Sequence, residues 1–292
     1  MNLKQISLTF ALLTSSLSYG QVNETFNGTR ILNGHSTETL KANILQFRIE
    51  HRFGDMAGAN GGLNNFFGFD QAADIRFAFE YGITDNLMIG FGRSKGTGAP
   101  YSGLLDGFVK YRFMKQGDKF PVNMAVIATS TLTYSKAIED LTLIQSYPEF
   151  AHRMAYSSQL NISRKFGERL SVAIMPTYVH RNFVNADDIN GLFALGTAFN
   201  FKVSKEFGVI GEYYPTFHDA ALRTELSSSL SAGVEWVTNG HNFKVVLTNS
   251  RGFNETQFIP YTYSKWIDED ENGNNVVGQF RLGFSITRNF KL

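Results

Sequence analysis

The sequence predicts an all-β chain, a transmembrane antiparallel up-and-down β-barrel of about 12 strands. Three observations lead there. Apolar and polar residues alternate with period 2 along most of the chain. The alternating segments run to roughly 9–15 residues, whereas soluble strands usually have about 5–6 and membrane-spanning strands need about 9–11. The connections alternate between short turns and long loops, as in barrels with a periplasmic rim and an outer face.

Composition removes the rival classes. Mean hydropathy is −0.16, and beyond the N-terminus no apolar run approaches the length of a membrane helix. A net charge of +1 gives no basic surface for nucleic acid. The absence of cysteine excludes disulfides, thiolate metal sites and a lipoprotein anchor. Aromatic residues reach 14%, and there are 27 glycines against 6 prolines, which suits strands, turns and interfacial rings.

At the N-terminus, Lys4 precedes an uncharged apolar stretch from Ile6 to Leu17, followed by Ser18-Tyr19-Gly20. That layout predicts a signal peptide over 1–20. A polar periplasmic segment over 21–43 and the barrel over 44–292 follow. The segment 21–43 could plug the barrel, touch a periplasmic partner or hang as a loose tail.

The first strand sets Leu45, Phe47 and Ile49 against Gln46, Arg48, Glu50 and Arg52. The second sets Ile75, Phe77, Phe79 and Tyr81 against Asp74, Arg76, Ala78 and Glu80. Val109, Tyr111 and Phe113 alternate with Phe108, Lys110 and Arg112. Further strands are expected at 87–95, 122–134, 153–166, 170–183, 191–203, 207–217, 228–238 and 242–253. The last sets Phe280, Leu282, Phe284 and Ile286 against Gln279, Arg281, Gly283 and Ser285. Tight turns fall at 84–86, 116–119, 167–169, 204–206 and 239–241, and long loops at 55–71, 96–103, 135–152, 184–190, 218–227 and 254–275. Lipid cannot satisfy an open sheet edge, so the sheet must close. The charges are too numerous for a dry core, so the apolar face meets lipid and the polar face points inward. Tyr81, Phe113, Phe166, Tyr178, Trp236 and Phe290, near strand ends, would form interfacial girdles.

Several stretches resemble an uncharacterised family of Bacteroidetes-type outer-membrane β-barrel proteins. They are Thr29-Arg30-Ile31-Leu32-Asn33-Gly34-His35-Ser36, His51-Arg52-Phe53-Gly54-Asp55, Phe67 through Arg76, and the hairpin from Glu80 through Ser94. The likeness is clearest over about 29–115. It implies an outer-membrane barrel and carries no catalytic or ligand residues. One departure is Leu292, where barrels usually end in Phe.

Arg48, Glu50, Arg52, Asp74, Arg76, Glu80, Asp106, Lys110, Arg112 and Arg281 are expected to line the lumen, with Lys202, Lys244, Glu212 and Glu235. Signs are nearly balanced. They suit either a charged eyelet that selects solutes or an ion-pair lattice that fills the interior. The first loop, Gly54 to Gln71, carries Phe66, Phe67 and Phe69 and could fold inward as a constriction or lie across the mouth.

Asp268, Asp270 and Asn272 occupy positions 1, 3 and 5 of a calcium loop with Gly273 at 6, but position 12 is Gln279. That is at best a weak Ca²⁺ site, more readily read as a solvated acidic hairpin tip, and no other cofactor is expected. Gly90 to Gly96 only mimics a phosphate loop and reads as a strand running into a loop. His51, His152, His180 and His218 are scattered along the outer rim. Ser157 and Ser158 have no assembled base, so no enzyme is expected. The function expected is a passive or gated outer-membrane pore for small hydrophilic solutes. A non-conducting adhesin, or an anchor for a periplasmic or surface partner, is the alternative, and an outer-membrane enzyme ranks last. Lipid and small solutes are the expected partners, and nucleic acid is not.

Overall fold

Where side chains alternate between lipid and a polar interior, the backbone must hydrogen-bond sideways, and in the computed structural model it does so all the way round. The structure describes residues 24–71, 74–96, 98, 100–117, 119–219, 222–269 and 273–292. The signal-peptide region 1–20, and Asp270 and Asn272 of the calcium reading, lie outside the described residues.

The wall begins with β1 (Ile44–Arg52), β2 (Asp74–Gly82), β3 (Leu87–Lys95), β4 (Gly103–Met114) and β5 (Asn123–Thr133). It continues with β6 (Met154–Phe166), β7 (Leu170–Arg181), β8 (Gly191–Lys202), β9 (Phe207–Tyr214) and β10 (Thr216–Phe217). Then come β11 (Ser229–Val237) and β12 (His241–Thr248), a small outer hairpin of β13 (Ile267–Glu269) and β14 (Asn275–Val277), and the closing strand β15 (Arg281–Lys291). β9 and β10 are one strand interrupted at Pro215, whose ring removes a donor from the ladder. Each wall strand pairs antiparallel with its neighbours, β11 with β9 and β12, and β12 with β15. β15 returns to β1 from Ile44↔Lys291 to Arg52↔Gly283, so 12 strands close.

The faces follow the chemistry. On β2, Asp74, Arg76, Ala78 and Glu80 are buried, while Phe77 and Phe79 are 42% and 51% exposed on the lipid side. Near the short-turn end Trp236 stacks between Phe207 and Phe243, with ring centroids 5.8 and 5.6 Å away, in the girdle position. The tight turns are closed by hydroxyls. Thr84 Oγ1 accepts from the amides of Asn86 and Leu87, and Ser204 Oγ accepts from those of Glu206 and Phe207.

Two open alternatives are decided and two expectations are corrected. The segment read as periplasmic enters the barrel, and Thr25, Phe26 and residues 29–38 are buried there. The first loop does not constrict the lumen, since Leu63, Phe66, Phe67 and Phe69 are all exposed. The strand expected over 242–253 ends at Thr248, because residues 249–260 turn into the barrel instead of running out, and the one-turn helix Glu255–Phe258 among them is wholly buried. The inner face is not polar throughout. On β7, β8 and β9 it carries Ala173, Met175, Val179, Leu192, Ala194, Ala198 and Ile210. Alternation could not reveal that stretch, because there both faces are apolar.

Candidate functional site

The inner wall formed by β1, β2, β4, β12 and β15 is ionic. Arg76 sits between two carboxylates, Nη1 to Glu50 Oε2 at 2.5 Å and a two-toothed contact to Asp106, Nε–Oδ1 2.9 Å and Nη2–Oδ2 2.6 Å. β3 lies between Arg76 and Asp106, and the pair closes because Gly92 has no side chain. A Cβ there would fall 2.6 Å from Arg76 Nη2. Arg48 Nε pairs with Glu80 Oε1 at 3.1 Å, and Arg251 from the last loop clasps Asp74 at 2.7 and 2.8 Å. Apart from Arg251, which is partly exposed, these groups are almost fully buried, so each charge depends on its partner, and removing one partner strands the other.

The hairpin from Thr29 to Ser36 spends the remaining charges. The amide of Ser36 donates to Thr29 O at 3.0 Å, and that of Ile31 to Gly34 O at 2.9 Å. Its tip lies on Glu212, whose carboxylate accepts from the amides of Leu32, Asn33 and Gly34 at 2.9–3.2 Å. Gly34 is required at that tip, since a Cβ would lie 1.9 Å from Tyr214 Oη. Lys110 Nζ donates to the carbonyls of Thr29, Ser36 and Glu38 at 2.7, 3.1 and 3.1 Å. Lys244 Nζ donates to those of Arg30 and Ile31, both at 2.7 Å. Thr29 Oγ1 donates to Glu80 Oε2 at 2.5 Å and accepts from Arg48.

From the long-loop end the segment 249–260 descends to meet this hairpin. Arg52 Nη2 donates to Asn33 Oδ1 at 2.5 Å, while its Nη1 donates to the carbonyls of Ser250 and Gly252. Arg30 Nη1 reaches Phe253 O at 3.3 Å, and the amide of His35 reaches Glu255 Oε1 at 3.3 Å. Phe258 packs edge-on against Tyr214, centroids 5.0 Å apart. Phe26, Ile31 and Leu32 join this apolar cluster on the β7–β9 side. The two segments fill the middle of the lumen.

A cleft of about 230 Å³ remains at the short-turn end, lined by Asn27, Gln46, Asn242, Thr287 and Asn289 among others. A cavity of about 210 Å³ remains at the long-loop end, around Asp188, Arg223 and Tyr261.

The structure thus brings Arg48, Glu50, Arg52, Asp74, Arg76, Glu80, Asp106 and Lys110 onto one buried inner surface. Arg112 lies at the short-turn mouth, paired with Glu38 at 3.0 Å. Arg281 lies at the opposite end, donating to Ser264 Oγ at 3.0 Å. Asp268 is in the outer hairpin, 3.8 Å from Lys265 Nζ. Among the described residues no group of three or more acidic or histidine side chains could hold a metal ion. His180 pairs with Tyr156 across β6 and β7, and Gly90 and Gly92 lie within strand β3.

Sequence reasoning missed Arg30, Asn33 and His35 on the hairpin, Glu255 on the descending segment, and the pair Arg181–Asp188 with Arg223. For the hairpin a signal existed. A motif with a glycine turn and both Arg and His is unusually specific for a loose tail.

Residues 26–290 match the family described as a membrane bound beta barrel domain (DUF5777). No curated protein matches the chain. Among solved structures, the KdgM porin in complex with disordered oligogalacturonate is 9% identical with a TM-score of 0.50, over 85% of this chain and 99% of that one. The NanC porin is 8% identical with a TM-score of 0.49, over 84% and 98%. An outer-membrane channel from Pseudomonas putida F1 is 14% identical with a TM-score of 0.45, over 91% and 100%. At 9% identity the likeness to the KdgM porin speaks to fold alone, a closed β-barrel. The family match spans both the inner hairpin and the closing strand, and on that ground the chain belongs to the membrane-bound β-barrel family DUF5777.

Proposed function

We propose that this protein is a gated outer-membrane channel for small hydrophilic solutes, here with its passage shut by its own chain. The observation that supports this reading is the way the wall holds the hairpin. Lys110, Lys244 and Glu212 are buried charges that spend themselves on backbone carbonyls and amides of residues 29–38. A permanent filler is most cheaply apolar, whereas a polar wall bonded to peptide groups can exchange those groups for water at small net cost. Arg30 Nε and Nη2, both ring nitrogens of His35, Glu255 Oε2 and Asn254 Nδ2 are buried there without a partner among the described residues. Buried polar groups of this kind are the ones that internal water serves. The cleft and the cavity flank the filled zone at its two ends, as the ends of a passage would. No catalytic chemistry is part of this reading.

One observation favours the second reading, a non-conducting barrel that serves as an anchor. Phe26, Ile31 and Leu32 pack on the apolar wall as a core would. Planar-bilayer recordings separate the two. Glu212→Ala removes the acceptor of three amides, and charged hydrogen bonds contribute about 1.5–3 kcal/mol each. The channel reading expects conductance steps in this variant that are rare in the parent protein. A silent variant that is still folded and inserted would leave only the anchor.

A further inference from the structure

The cavity at the long-loop end is a different place from the filled zone, and its lining is chemically specific. Its floor is an ion-pair cluster. Arg181 clasps Asp188 with Nη1–Oδ2 at 2.7 Å and Nη2–Oδ1 at 3.0 Å, and Arg223 donates to Asp188 and to the carbonyl of Pro260. Burial opposes the Asp188 charge, but the hydrogen bond and charge of Arg181 and the charge of Arg223 hold its carboxyl below the usual range. Arg223 is only 6% exposed, lines the cavity, and leaves Nε without a partner among the described residues.

Around this floor stand groups that accept and groups that donate. Asp187 and Glu225 are exposed carboxylates, acceptors only when ionised. Asn185 and Gln145 offer amides that do both. Tyr263, half exposed, and Tyr261 contribute rings, and Leu143, Ile144 and Leu226 add apolar surface. The volume, about 210 Å³, lies below the range of roughly 300–1,000 Å³ that suits drug-sized ligands. A single small solute fits that scale.

We propose that this cavity is an outer loading site for an uncharged polyhydroxylated solute of monosaccharide size. A hydroxyl both accepts and donates, so one ligand type can accept a hydrogen bond from Arg223 Nε and donate one to Asp187 or Glu225. The C–H faces of such a ring suit the tyrosines. With Arg181 and Arg223 set against Asp187, Asp188 and Glu225 the signs nearly balance, so a sugar acid meets the exposed carboxylates and an amino sugar meets Arg223. The site's position at the solute-facing end rests on the channel reading, but binding itself does not.

The test uses the purified full chain in detergent, titrated with glucose, glucuronate and glucosamine and read by saturation-transfer NMR. Glucose is expected to bind saturably, and glucuronate about tenfold or more weaker, a difference of one like-charge contact. Combining Tyr263→Ala with Glu225→Gln, both exposed positions, should weaken glucose about fivefold or more while the unfolding midpoint stays unchanged. Glucuronate binding as well as glucose, glucosamine binding about tenfold better than glucose, or a double variant that binds like the parent overturns the assignment. Absence of conductance with glucose binding intact counts against the channel alone. Conductance without glucose binding counts against the loading site alone.

Discussion

The two inner walls hold the same hairpin by opposite means. On the β1–β4 side, charges are locked in pairs, and the spare ones seize backbone atoms of residues 29–38. On the β7–β9 side, Ala173, Ala194 and Ala198 leave room into which the side chains of Phe26, Ile31 and Leu32 settle, and Glu212 of β9 adds directional bonds only at the hairpin tip. The ionic wall sets where the hairpin lies, because hydrogen bonds demand geometry. The apolar wall supplies contact but little register, because burial is non-directional. A plug held by both is well located and yet bound on one side only by groups that water can replace.

That contrast can be broken by substitution, and the effects should fall in order. Arg76→Ala leaves Glu50 and Asp106 buried and unpaired. Urea unfolding in detergent should show a loss of about 3–5 kcal/mol. On the other wall, Met175→Ala opens a cavity and should cost about 2–3 kcal/mol, without altering any conductance. If the two losses were reversed, the ionic wall would not be the demanding one. Lys110→Met leaves three buried carbonyls without their charged donor. It should cost about 1–3 kcal/mol, and it should raise the frequency of open events in bilayers. If those events are no more frequent than in the parent, Lys110 is not part of what holds the hairpin. On the outer surface, Trp236→Ala removes one ring from the stack with Phe207 and Phe243. It should change stability by only about 0.5–1.5 kcal/mol and leave conductance untouched, sharpening the distinction between lipid-facing and lumen-facing residues.

Much of the ionic wall was legible. Gln46, Arg48, Glu50 and Arg52 recur every second residue against Leu45, Phe47 and Ile49, and only a barrel interior can house so many charges opposite so continuous an apolar face. The apolar wall was not. On β8, Leu192 and Ala194 face inward while Phe193 faces lipid, so no polarity difference marks the inside. The first loop's placement stayed open for a related reason. Phe66 and Phe67 look fit for burial, but nothing in their spacing says which loop has polar partners waiting inside. Asn249 and Glu255 on the last loop do, through the amides of Leu230 and His35.

Local chemistry along the chain, read two residues at a time, was enough for strand number, closure and the identity of most buried charges. A strand's face pattern depends only on its own side chains and on the solvent each face meets. What filled the lumen lay beyond that reach. Whether Thr29–Ser36 hangs free or sits on Glu212, and which loop returns to meet it, depends on partners about 180 and 220 residues away in sequence, and such pairings exist only once the barrel has brought the strands round.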